Sequence, residues 1–274
     1  MTTNTTRRRT YDAEVIGAGL LAGPANVIMQ LSWPAVGYGV YESRVDSGNL
    51  FKHPIKRTRT TITYLAVAFL GTEDERRRYR EAVNTAHRQV RSTDSSPVDY
   101  NAFDRRLQLW VAACLYRGVE DVGDIFGEPL TEDEKEQRYQ ESSVLATTLQ
   151  VPPEMWPKDR KAFDEYWNES LAQVSIDETI RGHLLDIARV RFLRAPIPQL
   201  VGGLGLFITV GFLPQRFREE MRLAWSPRQQ RRWNRLMRAI ARGVRVLPGP
   251  LRRFPYNLCM LDLRVRMRLG LRLV

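Results

Sequence analysis

Nine consecutive residues, Ile62 to Leu70, carry no charge, and Gly71 follows at once. An uncharged run that stops on glycine reads as a buried helix with its C-cap in place. Beyond a charged patch, Tyr79, Ala82, Val83, Ala86 and Val90 recur at helical spacing, which predicts a second helix over 73–91. Two apolar stripes so close together must be buried against further helices, and the remaining chain supplies them. Asp104 is placed to cap a helix whose broad face holds Leu107, Trp110, Val111, Cys114 and Leu115. Thr131 and Glu134 form a capping box opening a helix to about Leu149. Asp177 starts another, and Ser226-Pro227 pairs an N-cap with an N1 proline ahead of a helix to about Val246. Shorter helices are expected over 24–31, 36–41, 55–70 and 159–173. The uncharged, glycine-rich run 198–213 falls short of the ~20 residues a spanning helix needs. It suits a buried helix against a flat cofactor or a segment dipping into a membrane. No stretch shows strand patterning joined by hairpin turns, so the expected fold class is all-α. From Leu263 to Leu269 apolar residues alternate with Arg264, Arg266 and Arg268. Period two reads as a strand, a surface-bound helix fits equally, and the sequence leaves both open.

At 274 residues the chain can form one large domain. The expected organisation is a disordered segment 1–10, an all-helical domain 11–255 and an arginine-rich tail 256–274. Asp12 and Glu14 interrupt the apolar stretch that would come after Arg7-Arg8-Arg9, which argues against a signal peptide. Two cysteines, Cys114 and Cys259, make no disulfide framework, and a reducing, cytoplasmic location is expected. Three histidines (His53, His87, His183) and no paired metal spacing disfavour zinc. The net charge of +11 is concentrated. Residues 215–274 hold sixteen arginines, no lysine and three acids, a net +13, which leaves −2 for everything before. No recognised nucleic-acid motif accompanies these arginines, so no nucleic-acid partner is expected. Mixed with large apolar residues, they either clothe exposed helix faces or touch an anionic membrane surface.

His87 lies at the edge of its helical stripe, with Arg91 one turn further on. A neutral imidazole facing an apolar interior beside arginines can serve as an axial haem ligand, and arginine can pair with a propionate. The bland alternative is a hydrogen-bonded structural histidine. His183 is a rival or an opposite-side partner, and His53, in a polar loop, is expected to face solvent. A competing motif is Gly17-Ala-Gly19-Leu-Leu-Ala22, with Glu42 some twenty residues on. It matches a dinucleotide fingerprint, but no second strand–helix unit, which such a site requires, lies between it and Arg57.

Four stretches, "GPANVIMQL–P–AVGYGV", "RTRTTITYLAVAFLGT", "VNTAHRQVR" and "YNAFDRRLQLWVAACLY", resemble in order the haem-dependent oxygenases typified by the latex-clearing rubber oxygenase. The fungal oxygenase that trims the prenyl chain in mycophenolic acid synthesis is of the same family. The resemblance is clear over about 15–150 and looser to about 250. In that family an Arg-x-x-x-Thr pair precedes a helix, and a His followed four residues later by a basic residue lies on the next. The corresponding positions are Arg57 and Thr61, then His87 and Arg91. Many relatives carry a histidine where this chain has Trp33, Ser43 and Ala112.

The resemblance implies haem b ligated by His87 within a buried, haem-sized cavity of a single helical domain. Arg57 and Arg91 are expected near the porphyrin edge, Asn84 near a propionate, and Thr61 as a distal hydroxyl toward dioxygen. The implied activity is an oxygenase acting with O2 on an unsaturated, isoprenoid- or lipid-like substrate. Its rivals are a non-catalytic haem or lipid binder, a flavin or nicotinamide protein using Gly17–Ala22, and a cofactor-free peripheral membrane protein.

Overall fold

A computed structural model describes residues 16–274, apart from the side chain of Ser47. The expectations for residues 1–10, and for the first five residues of the helical domain 11–255, lie outside the described residues. The helices run in chain order as α1 (Gly23–Leu31), α2 (Pro34–Tyr41), α3 (Pro54–Leu70), α4 (Glu73–His87), α5 (Arg105–Phe126), α6 (Glu132–Ser142) and α7 (Val144–Thr147). They continue as α8 (Arg160–Ser170), α9 (Glu178–Ala188), α10 (Ile197–Phe212), α11 (Gln215–Glu220), α12 (Pro227–Val246), α13 (Gly249–Arg252) and α14 (Tyr256–Arg268). The fold is all-α, with no strand among the described residues beyond an isolated antiparallel bridge between Arg91 and Asn101.

The start signals act as their chemistry dictates. The Asp104 carboxylate accepts from the amides of Arg106 and Leu107, and Asp177 accepts from Ile180. Thr131 with Glu134, and Ser226 with Gln229, close reciprocal capping boxes. A third box joins Thr72 and Glu75 at the head of α4.

The core is built on α5. Trp110 lies between Trp33 at 4.8 Å and Trp167 at 5.2 Å, ring centre to ring centre, with Phe217 beyond. Two of these indoles find a carbonyl: Trp33 donates to Ser170 and Trp110 to Gln30. Tyr116, Tyr139, Trp156 and Phe163 form a second ring cluster against α6 and α8. Thus Trp33 and Ala112, two of the positions where many relatives have histidine, are buried in packed side chains.

Three sequence readings take definite form in the fold. Gly17–Ala22 forms a 3-10 turn, and Gly17 packs so tightly that a Cβ there would fall 1.8 Å from the Phe254 carbonyl oxygen. These glycines serve backbone approach, and no strand of a dinucleotide-binding unit lies among the described residues. The flat partner of α10 is the Trp233 indole, 2.1 Å from where a Cβ on Gly211 would lie, while Gly202 and Gly205 abut the Arg189 and Ala188 carbonyls at the end of α9. The alternating segment 263–269 belongs to helix α14, which packs along α3 and buries Tyr256, Cys259, Met260 and Leu263. Its period two arises because residues two apart fall on nearly opposite sides of a helix, so Leu263 faces inward and Val265 outward. Ion pairs tie α14 to both neighbours: Arg59 on α3 to Asp262 at 2.7 Å, and Glu75 on α4 to Arg264 at 2.7 Å. Burial pushes the Glu75 carboxyl up, but hydrogen bonds from Arg264 and the Thr72 amide outweigh it and hold Glu75 below the usual range.

Candidate functional site: the Arg57–His87 region

Helix α3 begins at Pro54, and its first turns carry Arg57, Thr61 and Tyr64 at spacings of four and three. A two-residue connection, Gly71 and the capping Thr72, then returns the chain as α4, whose last residue is His87. The two helices pack together. This brings Arg57, Tyr79 and His87 within electrostatic reach of one another.

The His87 ring is half-buried and meets Phe103 edge-on, with ring centres 6.4 Å apart. Burial, and secondly the Arg57 charge, pull its pKa down to about 4. At neutral pH the imidazole is therefore uncharged, with a lone pair available. Neither ring nitrogen has a hydrogen-bond partner among the described residues. Burial also lowers Arg57, with the Tyr79 phenol group opposing. The contrast with its neighbour is informative. Arg59 is held by Asp262, whereas the Arg57 guanidinium pairs with no carboxylate among the described residues. A desolvated guanidinium without an anion is costly and is a natural anchor for one.

Two tyrosines that the sequence pattern alone does not single out bound this region. Tyr79 donates to the Thr60 carbonyl at 2.7 Å, and Tyr64 donates to the Leu145 carbonyl. Burial raises both phenols above their ordinary value. Their spacing is a usable signal. Tyr64 lies seven residues after Arg57, and Tyr79 two turns before His87, both near the faces that carry the site.

The other candidates are less closely drawn in. Asn84 sits one turn before His87, half-buried, with its amide unpaired among the described residues. Thr61 is exposed, and its hydroxyl donates to the Arg57 carbonyl at 3.0 Å. Arg91 is not one helical turn beyond His87, because α4 ends at His87. Val90 bonds back to the His87 carbonyl, and Arg91 then bridges to Asn101 on the surface. It lines a polar cavity of about 190 Å³ together with Ser43, Arg44 and Tyr100. That cavity and an open groove on α12 are not lined by His87, and the space inside α5 is filled by rings. Along α5, packed aromatic rings fill the interior.

His183 lies between Tyr41 and Phe51, at 5.4 and 5.2 Å. Burial lowers its pKa, with Asp186 opposing. His53 is exposed and meets Asp46 at 2.9 Å. Among the described residues no group of three His, Cys, Asp or Glu side chains could hold a bare metal ion. A single-histidine cofactor is the arrangement the Arg57–His87 chemistry suits. A neutral imidazole beside an unpaired guanidinium matches one iron and one propionate, so the residues present fit haem.

A family model described as "ER-bound oxygenase mpaB/B'/Rubber oxygenase, catalytic domain" matches residues 13–242. Uncharacterised proteins of Mycobacterium bovis and Mycobacterium tuberculosis are each 53% identical over 255 residues, covering 93% of this chain and 100% of each relative. No solved structure matches the chain.

Proposed function

Because this chain belongs to the family of the mpaB and rubber oxygenase catalytic domains, we propose that it is a haem b-dependent oxygenase acting with O2 on an unsaturated hydrophobic, isoprenoid- or lipid-like substrate. The observation that carries the reading is the pairing of a neutral His87 with an Arg57 that has no carboxylate of its own. Haem, when bound, supplies an iron at which dioxygen is activated.

The chain's own residues have the remaining tasks. His87 offers a neutral nitrogen as the protein ligand. Arg57 presents a planar fork of donors to a propionate, already stripped of much of its water. Asn84, one turn before the imidazole, can donate its amide to the same carboxylate. Thr61 is the candidate distal hydroxyl. Its back-bond to a helix carbonyl is weak, so the proton can be redirected toward a bound ligand at small cost. Tyr64 and Tyr79 are tied to backbone carbonyls and keep α3 in register with its neighbours.

The test is reconstitution of the purified protein with haem b, followed by oxygen-uptake measurements with a polyprenyl substrate. A Soret band together with substrate-dependent uptake supports the reading. A Soret band without uptake would instead favour the non-catalytic haem binder.

A further inference from the structure

Helix α14 is apolar on two opposite sides. Tyr256, Cys259, Met260 and Leu263 face α3 and are buried. On the reverse, Leu258 (52% exposed), Leu261 (59%), Val265 (43%) and Leu269 (66%) succeed one another at spacings of three and four. A helix apolar on two opposite sides is ordinarily covered on both, and no described residue covers this outer stripe. The turn leading into it continues the exposure through Val246, Leu251 and Phe254.

We propose that this outer face of α14, with the turn before it, docks on the surface of a bilayer containing anionic lipid. Charge selects the occupant. Arg264 and Arg266, on the flanks, are held by Glu75 and Asp262. Arg252, Arg268 and Arg272, at the two ends of the stripe, are exposed and make no ion pair among the described residues. The one acid of α14, Asp262, is already shared by Arg59 and Arg266. The surface thus offers an apolar stripe with free cations at its ends, the pattern of an interfacial helix. A second copy is a poor occupant, because stripe-to-stripe pairing would bring two regions of net +13 together. No described helix is long and apolar enough to cross a membrane, so α14 would lie in the plane of the interface.

The inference is independent of haem, and its test needs none. The full chain is sedimented with vesicles of phosphatidylcholine alone or mixed with phosphatidylglycerol, at low and high salt. Binding to the mixed vesicles only, weakened by salt, is expected. Leu261→Ser with Val265→Ser should weaken it about tenfold or more, as should the triple change of Arg252, Arg268 and Arg272 to glutamine. All these side chains are exposed, and an unchanged thermal melt confirms that each variant is folded. Absence of vesicle binding, or binding indifferent to the stripe variant, overturns the proposal. So does a solution dimer that the stripe variant dissolves, which would assign the face to a second copy.

Discussion

The positive charge of Arg57, on α3, acts on the imidazole of His87 at the end of α4 and, together with burial, keeps that ring neutral down to about pH 4. Removing the charge while keeping the volume should release part of this depression. In Arg57→Gln the His87 pKa is expected to rise toward 6.5 without reaching it, because burial is the larger cause. An NMR titration of the ring carbons in the apo protein reads this directly. An unmoved His87 pKa would mean that the two side chains do not interact.

The same depression makes stability depend on pH with a defined sign. Between about pH 6.5 and pH 4 the unfolded chain takes up a proton at His87 and the folded chain does not. Folding stability should therefore fall as the pH drops through this window, by at most ~3 kcal/mol at 1.36 kcal/mol per pH unit. His87→Gln should flatten that part of the profile. Urea midpoints measured across the window in the apo protein decide the point, and equal slopes for both proteins would contradict it.

The glycine motif makes a prediction of another kind. If Gly17 serves close packing, Gly17→Ala must push the Phe254 carbonyl aside, at a cost of about 1–3 kcal/mol. Gly19→Ala meets only Val122 methyl groups, at 2.8 Å, and should cost less because a side chain gives way more readily than backbone. Thermal melts of the two variants test the order, and a Gly17→Ala protein as stable as the parent would reopen a ligand-binding role for the turn.

How far the sequence foretells these features varies with how local their causes are. Caps at Asp104, Thr131 and Ser226 depend on a side chain and an amide two or three residues on, and each is legible. The end of α4 is not. Arg88-Gln89-Val90 contains neither glycine nor proline, and the helix closes there through a turn and the bridge from Arg91 to Asn101, a partner ten residues away. A helix continued through residue 91 gives Arg91 a register that it does not occupy. Helix α14 is hidden for a different reason. Apolar residues on both its faces imitate strand alternation, and only the packing on α3 decides between them. Arg57 and His87 can be picked out from the family pattern, but the lack of a carboxylate on Arg57 emerges only in the folded chain.

Ligation of haem iron by His87, on which the proposed function rests, is tested most directly by an absorption spectrum of protein reconstituted with haem b. The parent and His183→Ala are expected to show the same Soret band, while His87→Ala loses it or shifts it to that of free haem. A Soret band unchanged in His87→Ala would contradict the assignment.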